Sequence, residues 1–317
     1  ELRKTFSTMY NLCVVRHTCN TADAFYDAEN TYFDEQLPAF EALNNRFYEA
    51  LLRSPFRGAL EEKCGEQLFV LAEMALKTFQ PAILENLQQE NTLGSEYTKI
   101  KATARISFDG TVYNLSSLNA IEVSEDREVR RRAAEAKWSF FQEKTDQIEG
   151  IFDQLVSTRH QIATKMGYRN FVEVGYARMR RSDYTPEMVA NYRRQVREMI
   201  VPIASALYER QQRRLGLDHL KYYDEEYKFS TGNPKPQGTP EEIVESAARM
   251  YRELSPDTDR FFQFMQQSKL MDLVNREGKA TGGYCTFIDG YNAPFIFSNF
   301  NGTSADVDVL THEAGHA

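Results

Sequence analysis

The chain has 317 residues, 42% of them hydrophobic and 26% charged, with a net charge of −8. Length suggests about two domains, and the apolar content is ample for a core and excludes a disordered or low-complexity chain. The acidic balance argues against a nucleic-acid surface, which needs clustered Lys/Arg.

The densest basic stretch, Arg127 to Lys137, is interrupted by Glu128 and Glu135 and reads as a solvated helix face. Four cysteines, Cys13, Cys19, Cys64 and Cys285, form no CxxC pair. They read as free thiols in a reducing compartment. The longest apolar stretch, near Leu68–Leu76, is broken by Glu73, so no membrane span is expected. Residue 1 is Glu, which leaves a preceding targeting segment open.

Apolar residues at three and four spacing predict helix from Thr21 to Leu52, with Pro38 kinking or dividing it. Further helices are expected over Pro55–Lys77 and Pro81–Leu93. β-branched and aromatic residues on either side of Asp109-Gly110 predict a hairpin near 102–118. Ser124, followed by two acids, reads as the N-cap of a long helix running past Trp138. Helical patterns continue through His160, Tyr176 and Arg194, with Pro186 in a first turn after Thr185. Ser230–Pro240 is a loop, and Thr239 caps the helix that follows. A small sheet is expected near 281–300, from "GGYCTF" and "PFIFSNF". A last helix then starts at Thr303 as N-cap, with Asp306 as its acidic partner, and runs through His316.

That last helix carries His312-Glu313-Ala314-Gly315-His316. Four residues advance a helix by about 400°, so the two imidazoles lie about 40° apart around the axis and roughly 6 Å apart along it. Such a pair can share one zinc ion, and Glu313, turned by about 100°, can reach a water beside it. A carboxylate so placed acts as general base in peptide hydrolysis. Gly315 inside a helix costs up to about 1 kcal/mol and suggests close packing against its face. The bland alternative is a helix end with two partly exposed histidines. His17, His160 and His219 read as surface or capping residues, Cys285 as a small buried residue, and Lys221–Phe229 as a solvated acidic segment.

The stretches "GKATGGYCTF" and "APFIFSNFNGTSADVDVLTHEAGHA" resemble the zinc-site region of the oligoendopeptidase F group of thimet-oligopeptidase-like metallopeptidases. So do "RHQIATKMGYRNFVEVGYARMRRSDYTPEMVANYRRQV", "PIASALYERQQRRLGLDHLKYYD" and the hairpin "ISFDGTVYNLSSL" before "DREVRRRAAEAKW". The resemblance covers about Tyr97 to Ala317, and the earlier helices more loosely. It implies a mainly α, two-lobed metalloendopeptidase with a deep channel for short unfolded peptides. Residues 1–120 would form an N-terminal helical lobe with the hairpin, and 121–317 the first part of the catalytic domain. His312 and His316 would bind one Zn2+, and Glu313 would be the general base. The substrate backbone would lie along Gly283, Tyr284, Phe297, Ser298, Asn299 and Phe300. The resemblance further implies a cytoplasmic protein, with peptides as partners, no membrane or nucleic acid, and room for a homo-oligomer.

One departure is serious. The family's third ligand is a glutamate some two dozen residues beyond the second histidine, a position that residues 1–317 do not include. The chain thus reads as truncated at both ends and is expected to be inactive alone. Two alternatives stay open: a metzincin-like zinc hydrolase with a third His shortly after His316, and a non-enzymatic helical interaction domain.

Overall fold

A computed structural model describes residues 1–317. The chain is mainly helical, with a two-stranded and a three-stranded sheet. Helices α1 (Leu2–Cys19), α2 (Ala24–Leu52), α3 (Arg57–Cys64), α4 (Gln67–Leu76) and α5 (Leu84–Ala102) come first. The hairpin β1 (Ile106–Phe108) and β2 (Thr111–Tyr113) follows, then α6 (Leu115–Ile121), α7 (Arg127–Glu143), α8 (Thr145–Lys165) and α9 (Phe171–Arg178). A π-helical turn, Val196–Ile200, joins α10 (Pro186–Gln195) to α11 (Val201–Leu215). The chain ends with α12 (Pro240–Leu254), α13 (Pro256–Gln267), β3 (Met271–Val274), β4 (Tyr284–Ile288), β5 (Ala293–Phe300) and α14 (Ala305–His316).

Two compact units result, each built from separate stretches of chain. One comprises residues 1–30, 98–145 and 207–317, and the other 31–97 and 146–206. The second unit packs Phe79, Ile83 and Leu87 against Ile162, Ala163 and Val174. In the first, the hairpin lies on α6 and α7 through Ile106, Phe108, Leu118 and Ala133. The larger core of that unit joins Ile243 and Ala247 of α12, Phe262 and Met265 of α13, Leu273, Ile296 and Phe300 of the sheet, and Leu310 and Ala314 of α14.

Local chemistry explains most boundaries. Asp109 and Gly110 both have positive φ (46° and 81°), the backbone a two-residue I′ hairpin needs. Thr239 accepts from the Glu242 N–H while the Glu242 carboxylate accepts from the Thr239 N–H, a reciprocal cap with Pro240 in the first turn. Thr185 caps α10 in the expected way through the Met188 N–H.

Several expectations are corrected. Pro38 does not divide α2, which runs unbroken and buries that residue. The helix expected over Pro55–Lys77 is two helices, parted at Gly65, whose φ of 86° leaves the helical region. The helix expected to end at Leu93 continues to Ala102. Asp126, not Ser124, caps α7, because its carboxylate reaches the Glu128 and Val129 N–H groups. The sheet has a third strand, β3, ahead of the expected pair.

Burial corrects three further readings. His17 is 3% exposed, with its Nε2 3.5 Å from Asp27, so it is an interior side chain. Desolvation lowers its pKa, against the opposing pull of Asp27. Within Lys221–Phe229, Asp224 is fully buried, and within the basic stretch Arg130 is 2% exposed. These two form an interior ion pair at 2.9 Å.

Candidate metal centre

The site lies on α14, and its helical phase follows from the core. Leu310 and Ala314 are 1% and 7% exposed and pack with Ile296 and Phe300 of β5. At about 100° per residue, His312 and His316 fall roughly 200° and 240° round from Leu310, opposite that apolar stripe. Glu313 falls about 60° to one side of the stripe, at its margin. The structure matches this: both histidines are exposed, and Glu313 is only 8% exposed.

The helix start differs from the sequence reading. Ser304, not Thr303, precedes the first turn, with no side-chain cap. Instead the buried Asp306 carboxylate turns back to accept from the Asn301 and Gly302 N–H groups at 2.9 and 2.8 Å. Burial raises its pKa, against those two hydrogen bonds.

His312 and His316 meet at their Nε2 atoms, 3.1 Å apart, with rings at 85°. Two Zn–N bonds of about 2.0–2.1 Å at a tetrahedral angle put their nitrogens roughly 3.4 Å apart. The pair therefore fits as two donors to one ion, and imidazole is a preferred zinc ligand. No third His, Cys, Asp or Glu within residues 1–317 joins them. A catalytic zinc site uses three protein ligands, and residues 1–317 bring two candidate donors together here.

The Glu313 carboxylate lies against the Gly282–Gly283 turn. A Cβ on Gly283 would stand 3.7 Å from Glu313 Oε1 and only 2.9 Å from Val309 Cγ1. Glycine there lets α14 approach the strand. The close packing that the sequence suggested for Gly315 is absent at that residue, which has no neighbour within 4 Å of a built Cβ, and is found at Gly283 instead. Gly283→Ala is expected to cost about 1–3 kcal/mol, because Val309 has to move. Chemical denaturation of the variant checks this, and an unchanged midpoint would count against the tight fit.

A cleft of about 480 Å³ opens here, lined by Tyr284, Cys285, Thr286, Phe287, Pro294, Glu313, His316 and Ala317. Cys285 is half-buried, and its thiol pKa is raised by desolvation and then by the Glu313 charge.

The sheet order is β3-β5-β4, with β3 parallel and β4 antiparallel to β5. β5 pairs with β4 over Ala293–Phe297 and with β3 at Ile296, Phe297 and Phe300, so of the residues expected along the substrate only Phe297 has a strand on both sides. Phe297, Ser298 and Phe300 are 1%, 3% and 4% exposed. β4 is the outer strand on the cleft side, where Tyr284 lines the cleft. Part of its edge is engaged already, since Asn11 Nδ2 donates to the Phe287 carbonyl at 2.8 Å. Asn299 acts through its side chain, donating to the Ala280 and Gly282 carbonyls at 2.8 Å each, which fixes the turn before Gly283.

Sequence comparison places these features in context. Residues 1–79 match the Peptidase M3 N-terminal domain, and residues 120–317 match Peptidase family M3. Among solved structures, the chain is 55% identical to Pz peptidase A with an inhibitor, at a TM-score of 0.99, covering 100% of this chain and 56% of that one. A candidate oligoendopeptidase F from Bacillus anthracis str. Ames is 51% identical, with a TM-score of 0.98, covering 99% of this chain and 58% of that one. No curated protein matches. The chain thus spans 56–58% of the length of those two solved chains. With most of its residues in the family match, and more than half identical to Pz peptidase A over its full length, the chain belongs to peptidase family M3, in the oligoendopeptidase F group.

Proposed function

We propose that these residues carry the first part of the catalytic machinery of a zinc-dependent oligoendopeptidase acting on short unfolded peptides. The single observation that carries the reading is the convergence of two exposed imidazole nitrogens, 3.1 Å apart, beside a buried carboxylate in the same cleft. Family membership supports it and stands against both the metzincin-like and the non-enzymatic alternatives. It also supports a division near residue 120, between an N-terminal segment and the catalytic part.

In this reading His312 and His316 hold the zinc through Nε2, with a third ligand from outside residues 1–317. Zinc, when bound, lowers the pKa of water to about 7 and polarises the scissile carbonyl. Glu313 takes the proton from the attacking water on a carboxylate oxygen and then delivers it to the leaving amine nitrogen. The carboxylate has no hydrogen-bonding side chain as competitor, and the α14–Gly283 contact fixes its position. An extended peptide lies along the accessible part of the β4 edge, paired through main-chain groups. No helix is long and apolar enough to cross a membrane. The free thiols support a cytoplasmic setting.

The test uses the polypeptide that contains these residues and a quenched fluorescent peptide of about eight residues, a length chosen to suit an oligopeptidase channel. Chelation is expected to abolish hydrolysis and zinc to restore it. His312→Ala and His316→Ala are each expected to weaken zinc binding by more than the about 10–100-fold typical of losing an outer-shell partner. Activity that persists under chelation, or zinc affinity unchanged in both variants, would sink the proposal.

A further inference from the structure

Behind the sheet, on the side away from α14, Lys279 has its side chain fully enclosed. An enclosed ammonium needs acceptors for each of its three N–H donors. Lys279 Nζ has three: the Asp272 carboxylate at 2.8 Å, the Asp272 carbonyl at 3.1 Å and the Val274 carbonyl at 3.0 Å. Those two carbonyls flank the point where the register of β3 against β5 shifts. The extra residue there lies on β5, and Lys279 donates to β3 on both sides of the irregularity, tying that strand down where its pairing changes. Desolvation lowers its pKa, and Asp272 opposes that shift.

The same ammonium sits 4.6 Å from the centroid of the Phe297 ring. Phe297 stacks on Tyr284, its cross-strand partner, at 4.9 Å and 11°. The Tyr284 hydroxyl is hydrogen-bonded to Thr18 Oγ1 at 2.7 Å. The column runs from a buried cation through two rings to the first residue of the outer strand. Gly283 precedes that residue and faces Glu313 and Val309.

We propose that Lys279 is a positioning residue for Glu313: by tying down β3 beside its register shift and supporting the Phe297–Tyr284 pair, it holds the Gly283–Tyr284 edge against the helix that carries Glu313. The proposal rests on the reading of Glu313 as general base. Lys279 touches neither substrate nor metal, so its effect is on placement. A misplacement of about 1 Å at a catalytic group can cost about 10²-fold in rate.

The test is Lys279→Met, which keeps an unbranched chain and removes all donors and the charge. In the zinc-loaded enzyme, kcat is expected to fall about 10–100-fold, with KM within about twofold of wild type. Zinc content stays at the wild-type value, because His312 and His316 are untouched. A second readout does not need activity: the rate of maleimide labelling at Cys285, half-buried on β4, against that at Cys13, which is 0% exposed in α1. Local loosening of β4 is expected to speed Cys285 labelling by at least about fivefold and leave Cys13 as in wild type.

An unchanged Cys285 rate overturns the proposal whatever the activity. Cys285 and Cys13 rising together mark Lys279 as a general stability element and also overturn it. Faster Cys285 labelling with unchanged kcat does the same, since the edge then moves without consequence for Glu313. A wild type that hydrolyses nothing defeats the function reading, and the labelling still decides whether Lys279 holds the edge.

Discussion

Glu313→Gln is expected to reduce peptide hydrolysis by about 10²- to 10⁴-fold while zinc affinity stays at the wild-type value. The amide keeps the volume of the carboxylate and the packing at Gly283. It loses the ability to take a proton from water at neutral pH. The geometry separates the two effects: Glu313 sits at the margin of the buried stripe, roughly 60° from Leu310, whereas both imidazoles lie on the far side. Substitution of Glu313 therefore leaves the Nε2–Nε2 pair in place. The measurement is kcat/KM on a quenched fluorescent peptide, with bound zinc determined on the same samples. Full activity in the variant would remove Glu313 from the chemistry. Loss of zinc in step with activity would make it a structural support of the metal pair.

The helix bearing His312, Glu313 and His316 was legible because its chemistry is local. The spacing of four residues and the apolar positions Leu310 and Ala314 fix the phase within two turns. The Asp109-Gly110 hairpin and the Thr239–Glu242 cap were legible for the same reason: each is decided within four residues. What escaped depends on partners far along the chain. Strand β3 is four residues, "MDLV", with no alternation, and becomes a strand only through pairing with β5. The tightness suggested at Gly315 belongs to Gly283, because only the folded chain brings Val309 against that turn. Lys279 carries no periodic signal, and its role is set by two carbonyls, a carboxylate and a ring that meet only in three dimensions. The central place of β5 in the sheet has the same origin. "PFIFSNF" takes that place only because β3, from a separate stretch of chain, pairs with it on the side away from β4.

The acidic segment around Asp224 failed as a solvated reading for this reason too, and it gives the largest expected effect on stability. Asp224 accepts from Arg127 Nη2 at 2.7 Å, Arg130 Nη2 at 2.9 Å and the Lys221 N–H at 3.0 Å. Arg130 lies 4.1 Å from the Tyr227 ring centroid, and Gln211 Nε2 donates to the Asp224, Glu225 and Tyr227 carbonyls. Asp224→Ala leaves the Arg130 guanidinium enclosed without a countercharge. A loss of about 3–5 kcal/mol is expected, as for removal of one partner of a buried pair. Asp224→Asn keeps the shape and loses only the charge, so its cost is smaller. Replacing both Asp224 and Arg130 by apolar residues is expected to recover part of the loss, because the stranded charge is gone.

The pH dependence follows from the direction of the carboxyl shift. Burial alone would raise the Asp224 pKa, and the hydrogen bonds from Arg127, Arg130 and the Lys221 N–H overturn that, leaving it below the usual value. A depressed native pKa gives stability that is fully present above the unfolded pKa, about 3.9. That stability is lost as pH falls through the lower native value. The advantage of wild type over Asp224→Asn should therefore be flat from about pH 7 to 5 and shrink below about pH 4. Denaturant midpoints of both proteins across that range, read on the unfolding transition of the unit containing α7 and Asp224, measure it. An advantage that grows toward acid would mean that Asp224 is protonated in the native state, and the buried ion pair would then not be the source of its stability.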